Sequence, residues 1–284
     1  MPWEDLGGHL LALLIYPGGL SALLVGLAAE IGAAWALVPE RGGLAAAARG
    51  TLRLVPRTAP PPAAWAWVLA LAAATQLAAP FSPVPAAERN TLVAAAALLA
   101  AAWLAWSWGW GRRAASARLV LTVQAIWLLA VLLPSMGPGN LRPQALGAVV
   151  LGGQVPLKLA CGLLYLACLP ALLMLLPESA PQGPPGTVAR AQSPEESGFL
   201  ALRVLLWMPC CGLFTSLFFP SGDGFLAVVR FPLVTLGAAA VAIAVAANLT
   251  RRPAGVTRLL YERLALPFAG FAVLVAALTP VLVH

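Results

Sequence analysis

The chain has 284 residues, 61% hydrophobic and 10% charged, with seventeen basic residues against ten acidic ones. Soluble domains carry about 25% charged residues, so this composition excludes a soluble globular protein and predicts an all-α, polytopic membrane protein with a single membrane domain over residues 1–284. Sixteen of the basic residues are arginines, most of them in segments between apolar runs; that pattern signals membrane orientation and excludes a nucleic-acid-binding stripe.

The N-terminus, "MPWEDLGGHL", is acidic where a signal peptide would be positive, and the apolar run after it outlasts an h-region of roughly 7–15 residues. That run, Leu10–Val38, is therefore expected to remain as the first of about eight spans. Glu30 lies inside it, about eight residues or roughly 12 Å from the inner end.

The next segment, about 42–57, contains "GGLAAAARGTLRLVPR", with Arg49, Arg53 and Arg57 recurring every fourth residue. That period suits a short amphipathic helix in the interface, its arginines toward headgroups or a docked partner. The prolines of "RTAPPPAA" end it. Spans two to four are expected at Ala64–Phe81, Leu92–Gly109 and Leu119–Leu133, the last of them short. Gly147–Gly153 precedes span five and reads as a re-entrant stretch, and spans five to eight fall at Val155–Leu176, Phe199–Pro220, Phe225–Ala247 and Leu259–Leu282.

Arg41, Arg49, Arg53 and Arg57 follow span one, Arg112, Arg113 and Arg118 follow span three, and Arg251, Arg252 and Arg258 follow span seven. The positive-inside rule makes those segments cytoplasmic, so both termini are expected outside. The cytoplasmic loop of about 177–198 departs from this trend, with Glu178, Glu195 and Glu196 against Arg190.

Charges within the spans are costly, at about 2.5–3.5 kcal/mol each on insertion scales, and need a partner or a role. They are read here as Glu30, Lys158, Arg203 and Arg230. Lys158 and Arg230 lie near the outer span ends, where long side chains snorkel. Glu30 is short, and Arg203 enters span six from the same side, so the two are expected to pair or to share a watered cavity. Cys161, Cys168, Cys210 and Cys211 all lie in apolar runs and read as small buried side chains, with no metal site and no disulfide framework. The residues show no catalytic constellation. Two readings stay open at this level: a stand-alone small-solute or ion transporter with Glu30 and Arg203 at its site, and a purely structural membrane anchor.

The order of features resembles the membrane subunit 1 family of respiratory complex I (NADH-quinone oxidoreductase), with its relatives in formate-hydrogenlyase and membrane-bound hydrogenases. "LLIYPGGLSALLVGLAAEIGAAW" is similar to the family's first span, with Glu30 where the family has Glu-Arg-Lys. "GGLAAAARGTLRLVPR" resembles its amphipathic helix, "GLLYLACLPALLMLLPESAP" the end of its fifth span, and "PEESGFLALRVLLW" the "EYSGxxLAL" start of its sixth. "FLAVVRFPLVTLGAAAVAIAVAANLTRRPAGVTRLLYERLALP" resembles spans seven and eight with the basic turn between them. Ile31 and Gly32 replace the family's Arg and Lys, "QGRxGPN" is absent, and the span-four acid falls near Trp127.

The resemblance implies a membrane-embedded coupling and anchor subunit in a prokaryotic plasma membrane. It would bind no cofactor of its own, with quinone at an interface. Its partners would be iron–sulfur peripheral subunits and antiporter-like membrane subunits, within the lipid bilayer. Glu30, Arg49, Arg53 and Arg203 would lie near the quinone chamber or docking face, and Glu178, Glu195 and Glu196 in the acidic loop.

Overall fold

The computed structural model describes residues 3–37, 43–54, 61–107, 117–136, 139–148, 154–176, 194–220, 225–252 and 254–282. Every regular element among them is helical: α1 (Trp3–Leu14), α2 (Gly19–Leu37), α3 (Leu44–Leu54), α4 (Pro61–Thr75), α5 (Thr91–Ala105), α6 (Ala117–Leu132), α7 (Pro143–Gly147), α8 (Gln154–Leu172), α9 (Pro194–Phe218), α10 (Phe225–Thr250), α11 (Ala254–Leu259) and α12 (Leu266–Leu282). A 3₁₀ turn follows α6 at Leu133–Met136, and a π-helical turn joins α11 to α12 at Leu260–Ala265.

Six of the helical stretches are long and apolar enough to cross a membrane: Leu10–Leu37, Arg118–Met136, Gln154–Leu172, Leu200–Phe218, Leu226–Thr250 and Gly255–Ala277. Expected spans two and three correspond to the shorter apolar helices Ala64–Thr75 and Thr91–Ala105. Span two was expected to run to Phe81, but α4 stops at Thr75 and Phe81 adopts a left-handed φ of 57°, which a continuing helix cannot accommodate. The prolines expected only to end the amphipathic segment also open α4, where Pro61 needs no amide partner. The described part of expected span one, Leu10–Leu37, falls in two helices with a bend at Ile15–Gly18. Pro17 has no amide hydrogen, and a Cβ on Gly18 would sit 1.6 Å from the Leu13 carbonyl oxygen.

The turn between α4 and α5 is tied down by polar side chains. Gln76 Oε1 accepts from the Asn90 amide at 2.9 Å, and Asn90 Oδ1 caps α5 by accepting from Leu92 N at 2.8 Å. Arg89 Nε donates to the Val84 carbonyl at 2.8 Å, and burial draws its guanidinium pKa below the ordinary value.

Helix α9 is the axis of the bundle. Of its most apolar window 78% is buried, against 28–50% in the other five, and α2, α4, α5, α7, α8 and α10 pack around it. Polar groups on this axis are matched. Tyr165 of α8 donates to the Cys210 carbonyl at 2.7 Å, and its ring meets Trp127 and Phe214 with centroids 5.4 and 5.5 Å apart. The Thr215 and Thr235 hydroxyls lie 3.1 Å apart between α9 and α10, and Ser216 Oγ accepts from Ala78 N at 2.9 Å. The four cysteines are buried and unbridged.

Helices α2 and α9 meet at backbone contact. Ala22, Gly26, Ala29 and Ala33 are buried on α2, and such small residues let helix backbones approach in a membrane. A Cβ on Gly26 would lie 1.7 Å from the Val204 carbonyl oxygen, so no side chain fits there. Gly26→Val must force the two helices apart. Overpacking costs about 1–3 kcal/mol even where side chains yield, and here the obstacle is backbone. A clear fall in the detergent melting temperature is the expected result; an unchanged melt would mean that α2 and α9 are not held at this distance.

Candidate functional site

Gly26 sits one helical turn before Glu30 on α2, and Val204 adjoins Arg203 on α9, so the close crossing delivers the acid to its partners. Arg203 and Trp207 are spaced i, i+4 and share one face of α9. Arg203 Nε donates to Glu30 Oε2 at 2.9 Å, and Arg203 Nη2 donates to Glu30 Oε1 in a second, short contact. Trp207 Nε1 donates to Glu30 Oε2 at 3.0 Å. Glu30 is 3% exposed and the Arg203 side chain 13%.

Bidentate pairing is the arrangement that best offsets the desolvation of two charges. Both carboxylate oxygens are engaged and the indole N–H is satisfied, so the cluster forms a fixed, polarised patch in an apolar bundle. Trp207 and Gly26 were not singled out in the sequence. The signals were there, four residues after Arg203 and four before Glu30.

Of the remaining sequence-derived candidates, Arg49 and Arg53 lie apart from this cluster. Helix α3 packs on α2 and touches α9, burying Ala47 and Thr51. Arg49 and Arg53 lie on its exposed side, where Arg49 Nε donates to its own helix at the Ala45 carbonyl. Glu178 lies outside the described residues. Glu195 and Glu196 fall in the first turn of α9, and their side chains are likewise outside the described part.

Trp127, near the position where the resemblance implies a span-four acid, is fully buried against Tyr165. Lys158 Nζ donates to the Ala148 carbonyl just beyond α7 at 2.7 Å. Glu262, absent from the sequence-derived set of intramembrane charges, lies in expected span eight and takes the guanidiniums of Arg118 and Arg258.

Two cavities lie elsewhere. One is a partly open hollow between α5, α6 and α8, lined by apolar side chains with Gln124. The other is a crevice beside Thr215, Ser216 and Arg230. Among the described residues no three His, Cys, Asp or Glu side chains come together as a metal set.

No protein-family model matches the chain, and no curated protein matches its sequence. Among solved structures, the chain is similar to one in the membrane-bound sulfane sulfur reductase, an archaeal respiratory membrane complex. The TM-score is 0.66 at 16% identity, over 95% of this chain and 99% of that one. At that identity the shared property is the fold.

The cluster makes a specific energetic prediction. Breaking a buried pair by removing one partner costs about 3–5 kcal/mol, and the residual exposure of Arg203 puts this pair near the lower end. Glu30→Gln and Arg203→Gln are each expected to lower the detergent melting temperature, and the double variant by less than their sum. Strict additivity in that cycle would show that the two side chains do not interact.

Proposed function

We propose that this chain is the membrane-embedded coupling and anchor subunit of a complex I-like or hydrogenase-like assembly. In this reading eight helices cross a prokaryotic plasma membrane with both termini outside, and α3 lies along the cytoplasmic face. The chain docks a peripheral arm of iron–sulfur subunits and contacts antiporter-like membrane subunits. It carries no redox centre of its own. The observation that supports this most is the fold shared along nearly the whole chain with a component of a respiratory membrane complex.

The Glu30–Arg203–Trp207 cluster adds to it. A matched ion pair beside the α2–α9 crossing, with α3 packed alongside, is a rigid polar platform beneath the proposed docking face. In the assembly this platform would form one wall of a quinone or proton cavity, with the peripheral subunits supplying the others. Arg49 and Arg53, exposed on α3, are suited to acidic groups on the docked arm.

A second reading has its own support. Both oxygens of Glu30 are already engaged by Arg203 and Trp207, as in a purely structural clamp, and the partners would then perform all the chemistry. The two readings differ in what the clamp contributes to turnover.

The test is a mild-detergent pull-down of the tagged protein from its native membrane, with mass spectrometry of what accompanies it. Iron–sulfur and antiporter-like subunits are expected; a protein recovered without partners would reject the assembly. In the intact assembly, the double variant Glu30→Gln/Arg203→Gln is expected to lower quinone-linked turnover at least tenfold with subunit composition unchanged. Full turnover in that variant would assign the pair to anchoring alone.

A further inference from the structure

A second charged cluster lies at the ends of two spanning stretches, on the side where the sequence gathers its arginines. Arg118 opens the stretch Arg118–Met136, and Glu262 lies near the start of Gly255–Ala277, within the π-helical turn. Arg118 Nε and Arg258 Nε each lie 3.1 Å from the same oxygen, Glu262 Oε1. One carboxylate thus holds two guanidiniums together and neutralises only one of them. Each guanidinium makes its closest approach to this carboxylate through Nε, and the terminal nitrogens lie further along the side chain. The Arg118 and Arg258 side chains are 71% and 54% exposed, so those nitrogens face the surrounding medium.

The surface on the membrane side of the cluster is apolar. Leu121, one turn into α6 from Arg118, is exposed, and so are Leu264 in the π-helical turn and Leu266 at the start of α12. Two forks of N–H donors with a net positive charge, at a span end and above uncovered leucines, match an amphiphile with a phosphate at its head. Arginine's planar fork is suited to phosphate oxygens, and π-helical turns recur at functional positions.

We propose that Arg118 and Arg258, held by Glu262, bind the phosphate of an anionic phospholipid whose acyl chain lies along the exposed apolar surface beginning at Leu121. A free phosphate shares the headgroup chemistry, but it would make no use of the leucines. The site is separate from the Glu30 cluster and does not rest on the proposed assembly. The lipid fastens the start of α6 to the α11–α12 turn, two elements joined by the same carboxylate.

The test uses the full-length protein in detergent, titrated with phosphatidylglycerol or phosphatidylcholine and read by native mass spectrometry. One phosphatidylglycerol is expected to be retained in preference to phosphatidylcholine. Each arginine near an anionic lipid surface contributes about 1 kcal/mol, a factor of roughly five, so Arg118→Gln/Arg258→Gln should weaken retention by about 25-fold. Arg118→Lys/Arg258→Lys, which keeps the charges and loses the fork, should fall between; it carries the test if the glutamine variant does not fold. Equal retention of both lipids by the wild type would overturn the proposal. So would an equal loss in Arg49→Gln/Arg53→Gln, which removes the same charge from α3, or displacement of the lipid by millimolar inorganic phosphate.

Discussion

The absence of a side chain on Gly26 governs the geometry that matters most. With the Val204 carbonyl occupying the space a Cβ would need, α2 and α9 cross at backbone contact. Lipid tails are as apolar as leucine, so helices in a bilayer gain little from hiding apolar surface and depend on close packing and polar contacts. The crossing supplies both. One turn beyond Gly26, Glu30 meets Arg203 and Trp207 within hydrogen-bond distance, where the close crossing brings the two helices together. A wider crossing would leave two buried charges to solvate separately.

The same economy runs along α9. Its position at the centre of the bundle buries hydroxyl, indole and carbonyl groups that no lipid could satisfy, and each of those described above meets a partner on a neighbouring helix or its own backbone. Tyr165 answers the Cys210 carbonyl, Ser216 answers the amide of Ala78, and Thr215 and Thr235 face one another. Such contacts fix rotation as well as distance, because a helix turned by one residue would miss them all. The core is therefore built as a rigid support. The described interior around α9 combines hydroxyls, thiols and aromatic rings, with Trp127 packed on Tyr165, and it holds the Glu30–Arg203 pair.

Among the described charged residues two groups stand apart. Glu30 and Arg203 are nearly sealed, whereas Arg49, Arg53, Arg118 and Arg258 are exposed near helix ends or on α3. Sealed charges set the internal geometry. Exposed ones face whatever lies beyond the chain: lipid headgroups beside Glu262 and, in the proposed assembly, a docked partner above α3.

Composition and apolar run length determined that this is a helical membrane protein: a bilayer admits only helices and closed barrels, and apolar runs of about 20 residues select the helix. Depth was legible too. A helix rises about 1.5 Å per residue, so counting from span ends matched Glu30 to Arg203 across 173 positions of sequence. Rotation about the helix axis cannot be counted in that way, and only the tertiary structure decided it. It turned Trp207 onto the carboxylate and Arg49 and Arg53 away from it. Glu262 reads in the sequence as one more charge near a span end, until the fold brings Arg118 to it from α6. The bend at Pro17 and the early end of α4 were also undecided, since apolar composition continues through both while the backbone does not. Length and hydropathy are one-dimensional properties that a chain carries by itself; the facing of side chains is fixed only when a second helix arrives.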